Sequence, residues 1–241
     1  MNKFLNETPR FFKYYSLLSM LYTTVLLLSV LLDYKFIEVG PFFASAATFV
    51  ISLTFFLNDV IAEVYGYQRA RYIIWASLLC LILFSSLGFF LNKIPTPVEY
   101  QVYGESYHTV FSLLFRASIA NSIAILLGSF VNIYIVSIWK ILVKGKYFWL
   151  RCLGSSIVGE AIYTITVVCL INLGVVPFAK LIQILIVSYG FKLVFNFIAV
   201  IPSSILAEFL KKKENIDAYD YGLDYSPFKF DINSKVSSVN E

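Results

Sequence analysis

Six long apolar stretches, separated by short polar joints, fill this chain up to about Phe209, and that spacing decides what it can fold into. The runs are Tyr14–Leu32, Pro41–Ile61, Tyr72–Leu91, Val110–Trp139, Leu153–Gly174 and Leu181–Leu206. A helix needs about 20 mostly apolar residues to cross the hydrocarbon core of a bilayer. A helix of a water-soluble domain keeps one polar side for the solvent; these runs are apolar all round. Of the 241 residues, 59% are hydrophobic and 14% charged, too few charges to cover a soluble domain of that size. The fold class predicted is all-α: a polytopic membrane protein with six transmembrane helices.

The placement of the basic residues orients the helices. With the N-terminus inside, fourteen Lys and Arg fall on the cytoplasmic side, among them Arg69, Arg71, Lys140, Lys144, Lys146, Arg151 and Lys211 to Lys213. Only Lys35, Lys93 and Lys180 fall outside. That asymmetry predicts an even number of spans with both termini cytoplasmic. Residues 1–13 are expected as a cytoplasmic segment and 14–210 as the six-helix transmembrane domain. Residues 211–241, rich in Asp, Asn, Ser, Tyr and Lys, are expected as a disordered cytoplasmic tail. The loop Asn92–Thr109, with Pro95, Pro97 and Gly104, is expected along the outer interface. The first run follows a basic segment but lacks a small-residue cleavage site, so it reads as a helix that stays.

The net charge of +4 is not a nucleic-acid footprint. Cys80, Cys152 and Cys169 form no CxxC pair and read as small packing residues. His108 reads as an interfacial or solvated residue. Walker, HExxH, GxSxG and Rossmann glycine patterns are missing from the sequence. The chain reads as no enzyme, with neither cofactor nor metal.

In such a chain the informative residues are the polar ones inside spans, because each costs energy there and needs a partner or a wet cavity. Asp59 and Glu63 are four apart and face one way on a helix. Gly66 is placed to end that helix in a left-handed turn, returning Arg69 and Arg71 toward the two carboxylates. Arg116 heads a stripe of small residues, Ala120, Ala124 and Gly128, suited to close helix approach. It is therefore expected to point into the protein, the competing reading being that it snorkels to the outer interface. Ser156, Glu160, Tyr163 and Thr164 share one face of the fifth span. Tyr189, Lys192 and Asn196 share one face of the sixth, before Pro202. Glu160 is a candidate for a buried ion pair with Arg116 or Lys192. Asn132, Asn172 and Asn196 are of the type that bonds between helices. The candidate substrate-binding set is Asp59, Glu63, Arg116, Glu160, Tyr163, Tyr189, Lys192 and Asn196.

These residues resemble the queuosine-precursor transporter family, also labelled vitamin uptake transporters, over roughly residues 10–213. The segment Asp59–Arg71, DVIAEVYGYQRAR, is similar to that family's acidic-x3-Glu-aromatic-Gly-x3-Ala-Arg signature. Arg116 with Ser118, Ser155 with Gly159, and Tyr189-Gly190-Phe191-Lys192 with Pro202 support it. The chain departs from the family where Ser52 replaces a proline. It departs again where Tyr163 and Ser188 stand in place of acids, and where Glu160 stands in place of an amide. The resemblance implies uptake of 7-deazaguanine bases such as preQ0, preQ1 or queuine for tRNA modification, across a bacterial inner membrane. It also implies a fold like the substrate-binding subunits of energy-coupling-factor importers.

Two other readings stand beside a self-sufficient transporter. One is a capture subunit energised by a separate ATPase. The other is a non-transport assembly factor, which charges on four separate spans disfavour. The partners expected are the small-molecule base and the lipid bilayer, with no nucleic acid and a homo-oligomer left open.

Overall fold

The apolar runs fold as six helices, α1 Lys13–Leu31, α2 Ala47–Tyr65, α3 Tyr67–Leu91, α4 Gln101–Leu142, α5 Phe148–Asn172 and α6 Phe178–Glu214. All six are long and apolar enough to cross a membrane. The computed structural model describes residues 12–40, 42–172 and 174–229. The start of the segment 1–13 and the end of the tail lie outside the described residues.

Between α1 and α2 runs a two-stranded antiparallel hairpin, β1 Phe36–Val39 and β2 Phe42–Ser45, with Phe36 opposite Ser45. The second span therefore begins at Ala47, not at Pro41. Aromatic and β-branched residues around the turn at Gly40 favour extended chain over a helix start. The end of the bundle beside this turn is called the hairpin end, and the end carrying Lys140, Arg151 and Lys211 the basic end.

α2 is the central helix. It packs against every other helix, and 78% of its most apolar window is buried, against 28% for α1 and for α6. Whatever polar groups α2 carries are thus shielded from lipid. α4 and α5 make the closest helix pair. A Cβ added at Gly128 would lie 2.7 Å from the Gly159 carbonyl oxygen, and one at Gly159 would lie 2.8 Å from Asn132 Cβ. Only glycine at both positions allows that approach, which carries the polar face of α5 up to α2.

Two joints differ from expectation. The loop expected on the outer side shortens to residues 92–100, with a 3-10 turn at Val98–Tyr100, because α4 starts at Gln101. At 1.5 Å per residue the 42 residues of α4 span about 63 Å, twice the hydrocarbon thickness. Its first turns, His108 included, are exposed. At Gly66 the backbone takes φ 84°, ψ 169°, an extended glycine-only conformation and not a left-handed helical turn. α3 is therefore aimed away, and Arg69 and Arg71 do not return to Asp59 and Glu63. Arg69 lies over the Phe12 ring and Arg71 donates to the Ser226 carbonyl.

The tail is the larger departure. α6 continues past residue 210 to Glu214, its last turn holding Lys211, Lys212 and Lys213 where the helix dipole favours cations. Asn215, in the left-handed conformation, caps it. Residues 215–229 then lie against the basic end and are not disordered there. Ile216 and Ala218 are buried, and the Ala218 N–H donates to the Val64 carbonyl. The Asp220 carboxylate accepts the Tyr67 N–H at 3.0 Å, capping the start of α3. Tyr67 Oη donates to the Tyr225 carbonyl and Trp75 Nε1 to the Pro227 carbonyl. Weak apolar periodicity hid this strap, because hydrogen bonds to carbonyls and a carboxylate hold much of it.

Candidate functional site

The charged groups on the spans sort into two assemblies. The first sits at the basic end around Glu63. Arg151 grips this buried carboxylate with both terminal nitrogens, at 2.6 and 3.1 Å. Lys211 donates to Oε1, and the Lys140 ammonium lies 3.7 Å from the same oxygen. Lys140 also bonds to the Glu63 and Ala218 carbonyls and to Asp217. Two carboxylates and three cations thus close one network across α2, α4, α5, α6 and the tail. Every Glu63 oxygen is satisfied.

The second assembly lies deeper. Asp59, one turn back on α2, is fully buried and faces α4 and α5. Asn132 Nδ2 donates to it at 2.9 Å, Cys152 Sγ at 2.9 Å, Ser156 Oγ at 2.8 Å and Ser155 Oγ at 3.4 Å. None of these donors is charged. Cys152, expected as packing, is a hydrogen-bond donor to the site. Glu160 is also fully buried, within electrostatic reach of Asp59 and Lys192. Asn196 donates to its Oε2 at 2.8 Å, and Oε1 has no hydrogen-bond partner among the described residues.

Lys192 is buried on α6, with its ammonium 4.4 Å from the centre of the Tyr163 ring and donating to Thr164 Oγ1 at 2.7 Å. Among the described residues no carboxylate oxygen lies within 4.0 Å of it. The direct Glu160–Lys192 ion pair is thus not formed. Tyr163 donates its hydroxyl to Asn121 Oδ1, and Asn121 donates in turn to Asp33. Asp33 follows the end of α1. Burial pushes its carboxyl up to about 7, against the opposing pull of the Asn121 bond and the Lys192 charge.

Asp33, Lys192, Tyr163, Thr164, Thr48 and Ser188 line a crevice open toward the hairpin end, of about 40 Å³. That holds about one water. It is well short of the roughly 300 Å³ of a small-molecule pocket, so the site is shut around its polar groups. On the opposite side, Glu63, Lys211, Ser204 and the aromatic run Tyr147 to Trp149 line a pocket of about 370 Å³ at the basic end.

Of the eight candidates, Asp59, Glu160, Tyr163, Lys192 and Asn196 converge. Glu63 belongs to the basic-end network. Arg116 is exposed and donates to the Ile171 carbonyl at 3.4 Å; the small stripe behind it does pack, but the guanidinium is turned out. Tyr189 lies at the rim, its hydroxyl donating to the Ile157 carbonyl at 3.0 Å. The Asn172 side-chain amide donates within its own helix, to the Val168 carbonyl, rather than between helices. Asp33 and Asn121 belong to the site but are not among the candidates. In the sequence Asp33 resembles an ordinary joint residue, and an aspartate placed directly after an apolar run is the signal that was available.

Six spanning helices that shield acids, a lysine and amides at mid-depth define a multi-pass membrane protein of the transporter class. The chain belongs to the family described as "Putative vitamin uptake transporter", which matches residues 45–207. A curated relative, the "Probable queuosine precursor transporter" of Bacillus subtilis (strain 168), is 25% identical over 169 residues, covering 69% of this chain and 72% of its own. No solved structure matches the chain.

Proposed function

We propose that this protein imports 7-deazaguanine bases, such as preQ0, preQ1 or queuine, for tRNA modification, and that the base docks between Glu160 and Lys192. The observation that carries the reading is the unfilled pairing at mid-depth. Among the described residues, nothing is bonded to the buried Glu160 Oε1, and the buried Lys192 ammonium acts on it without forming an ion pair. A buried carboxylate and a buried ammonium held apart are costly unless something bridges them. The edge of a guanine-like ring does so: its adjacent N–H groups donate to a carboxylate in one plane, and its ring carbonyl accepts from the ammonium. The Tyr163 ring, edge-on to Phe55, offers an aromatic wall for the flat base. The relative's name supports the same substrate class.

The basic end faces the cytoplasm of a bacterial inner membrane in this reading, following the distribution of Lys and Arg. The 40 Å³ crevice is then the outer approach in its closed state, and α6 moves to admit the base. Binding of preQ0, preQ1, queuine and guanine to the purified chain, followed by calorimetry, tests it. One of the deazapurines binds, and Glu160→Gln weakens it at least tenfold. Wild-type protein that binds none of the four ends the reading.

A further inference from the structure

We infer that in the empty carrier a proton occupies Glu160, and that the incoming base displaces it, so that proton and base alternate at one carboxyl. The inference rests on the docking place proposed above and adds what holds that place when no base is there.

The first ground is charge. Asp33, at the mouth of the crevice, and Glu160 share one cation, Lys192, and Asp59 acts on Glu160 while holding only neutral donors of its own. Arg116 is turned out to the surface, and Arg151, Lys140 and Lys211 are committed to Glu63 and Asp217. A buried carboxylate without compensation takes up a proton rather than stay charged.

The second ground identifies which one. Ionised carboxylates are held by donated hydrogen bonds. Asp59 receives four donors; Asp33 receives one, from Asn121, but keeps part of its surface exposed; Glu160, fully buried, receives one, and its Oε1 has none among the described residues. The proton therefore sits on Glu160. The other titratable groups facing it are Asp59 from α2, with Glu63 and Cys152 beyond that acting on Asp59, Tyr163 from α5, and Lys192 and Tyr189 from α6; Asp33 acts on Lys192 and Tyr163. Both tyrosine hydroxyls already donate elsewhere.

When the base arrives, its N–H groups and the Lys192 ammonium supply what the proton supplied. The O–H bond of Glu160 breaks, the carboxylate keeps the electron pair, and the proton leaves to water. The way out past Asp59, Cys152 and Ser203 leads toward the basic-end pocket, whose wall begins at Ser204.

Calorimetric titration of the full-length chain with preQ0, in buffers of different ionisation enthalpy, reads the event. One proton is released per preQ0 bound, and affinity falls as pH is lowered, by up to tenfold per unit. Infrared difference spectra of wild-type protein lose a protonated-carboxyl C=O band on adding preQ0. Glu160→Gln, titrated at preQ0 concentrations above its weakened Kd, binds without proton release, whereas Asp33→Asn still releases it. Binding with no proton released, an unchanged carboxyl band, or release that survives in Glu160→Gln overturns the inference while leaving preQ0 as a ligand. No preQ0, preQ1 or queuine binding to wild type removes the docking place itself, and the inference with it.

Discussion

Asp59 and Glu63 stand one turn apart on the same helix, equally buried, yet the protein treats them in opposite ways. Glu63 is surrounded by Arg151, Lys140 and Lys211 and tied to the tail through Asp217. Asp59 has only neutral donors, and its neighbour Glu160 has a bare oxygen. A saturated network has nothing left to offer a ligand and fixes how five segments meet. An unsaturated one has a place for something that comes and goes. Burial of a carboxylate alone does not separate the two cases; the census of its partners does.

The sharpest way to break this comparison is to remove each acid. Glu63→Ala strips the buried Arg151 of its carboxylate and leaves the buried Lys140 with Asp217 alone, and stripping one partner from a buried ion network costs about 3–5 kcal/mol. The variant is expected to melt far below wild type in detergent or to be degraded before it reaches the membrane. Asp59→Asn keeps an oxygen to accept from Ser156 or Asn132 and should lose only about 1–2 kcal/mol. Melting curves of the two variants decide the matter. If Asp59→Asn is the more damaged, the division of roles drawn between the two residues is reversed.

A smaller effect is expected at the strap. Asp217 is half-buried, 2.5 Å from the Lys140 ammonium and 2.9 Å from that of Lys211. Asp217→Asn replaces two ion pairs with ammonium–amide hydrogen bonds, for a cost of about 1–2 kcal/mol. The loss should fall on residues 215–229 first, because Glu63 still holds Arg151 and Lys211. Hydrogen exchange of the Ala218 and Tyr67 amides should quicken several-fold while the amides of α5 stay as slow as in wild type. Equal quickening throughout would mean that the strap and the bundle open as one unit.

How much of this could be read beforehand follows from what each signal measures. Hydropathy located the six helices because a spanning helix must be apolar for its whole length. It missed the hairpin, whose Phe-Ile and Phe-Phe residues are apolar too, and it misplaced the ends of α4 and α6, where polar residues continue a helix beyond the lipid. Glu160 and Lys192 stood out because a charge inside an apolar run is expensive. Arg151 and Lys140 did not, since basic residues at that end are explained by topology alone, and their grip on Glu63 depends on a tertiary contact. Arg116 was misjudged because a small-residue stripe tells where backbones touch, not where a long side chain ends. Asp33 was passed over because joints are where charges normally lie.

Asp33 also gives the finest test, because it lies at the mouth of the open assembly and no cation is within 4.0 Å of it among the described residues. Its carboxyl rises in the folded protein from the ordinary 3.8 to about 7, with desolvation as the largest cause. Between those values the folded state binds the proton and the unfolded state does not, so stability falls as pH rises across that window and levels off above about 7. In an Asp33→Asn variant the uncharged amide mimics the protonated acid and accepts from the Asn121 amide at every pH. The variant should therefore match wild type near pH 4, gain on it progressively through pH 7, and melt higher by pH 8. Because Asp33 keeps part of its surface exposed, the gain is expected at about 1 kcal/mol, or roughly 2–4 °C for a chain of this size. The difference between the two melting temperatures isolates this one group from every other that titrates. A difference that stays constant from pH 4 to pH 8 would show that Asp33 remains ionised throughout, and that the mouth of the crevice is wetter than its closed form suggests.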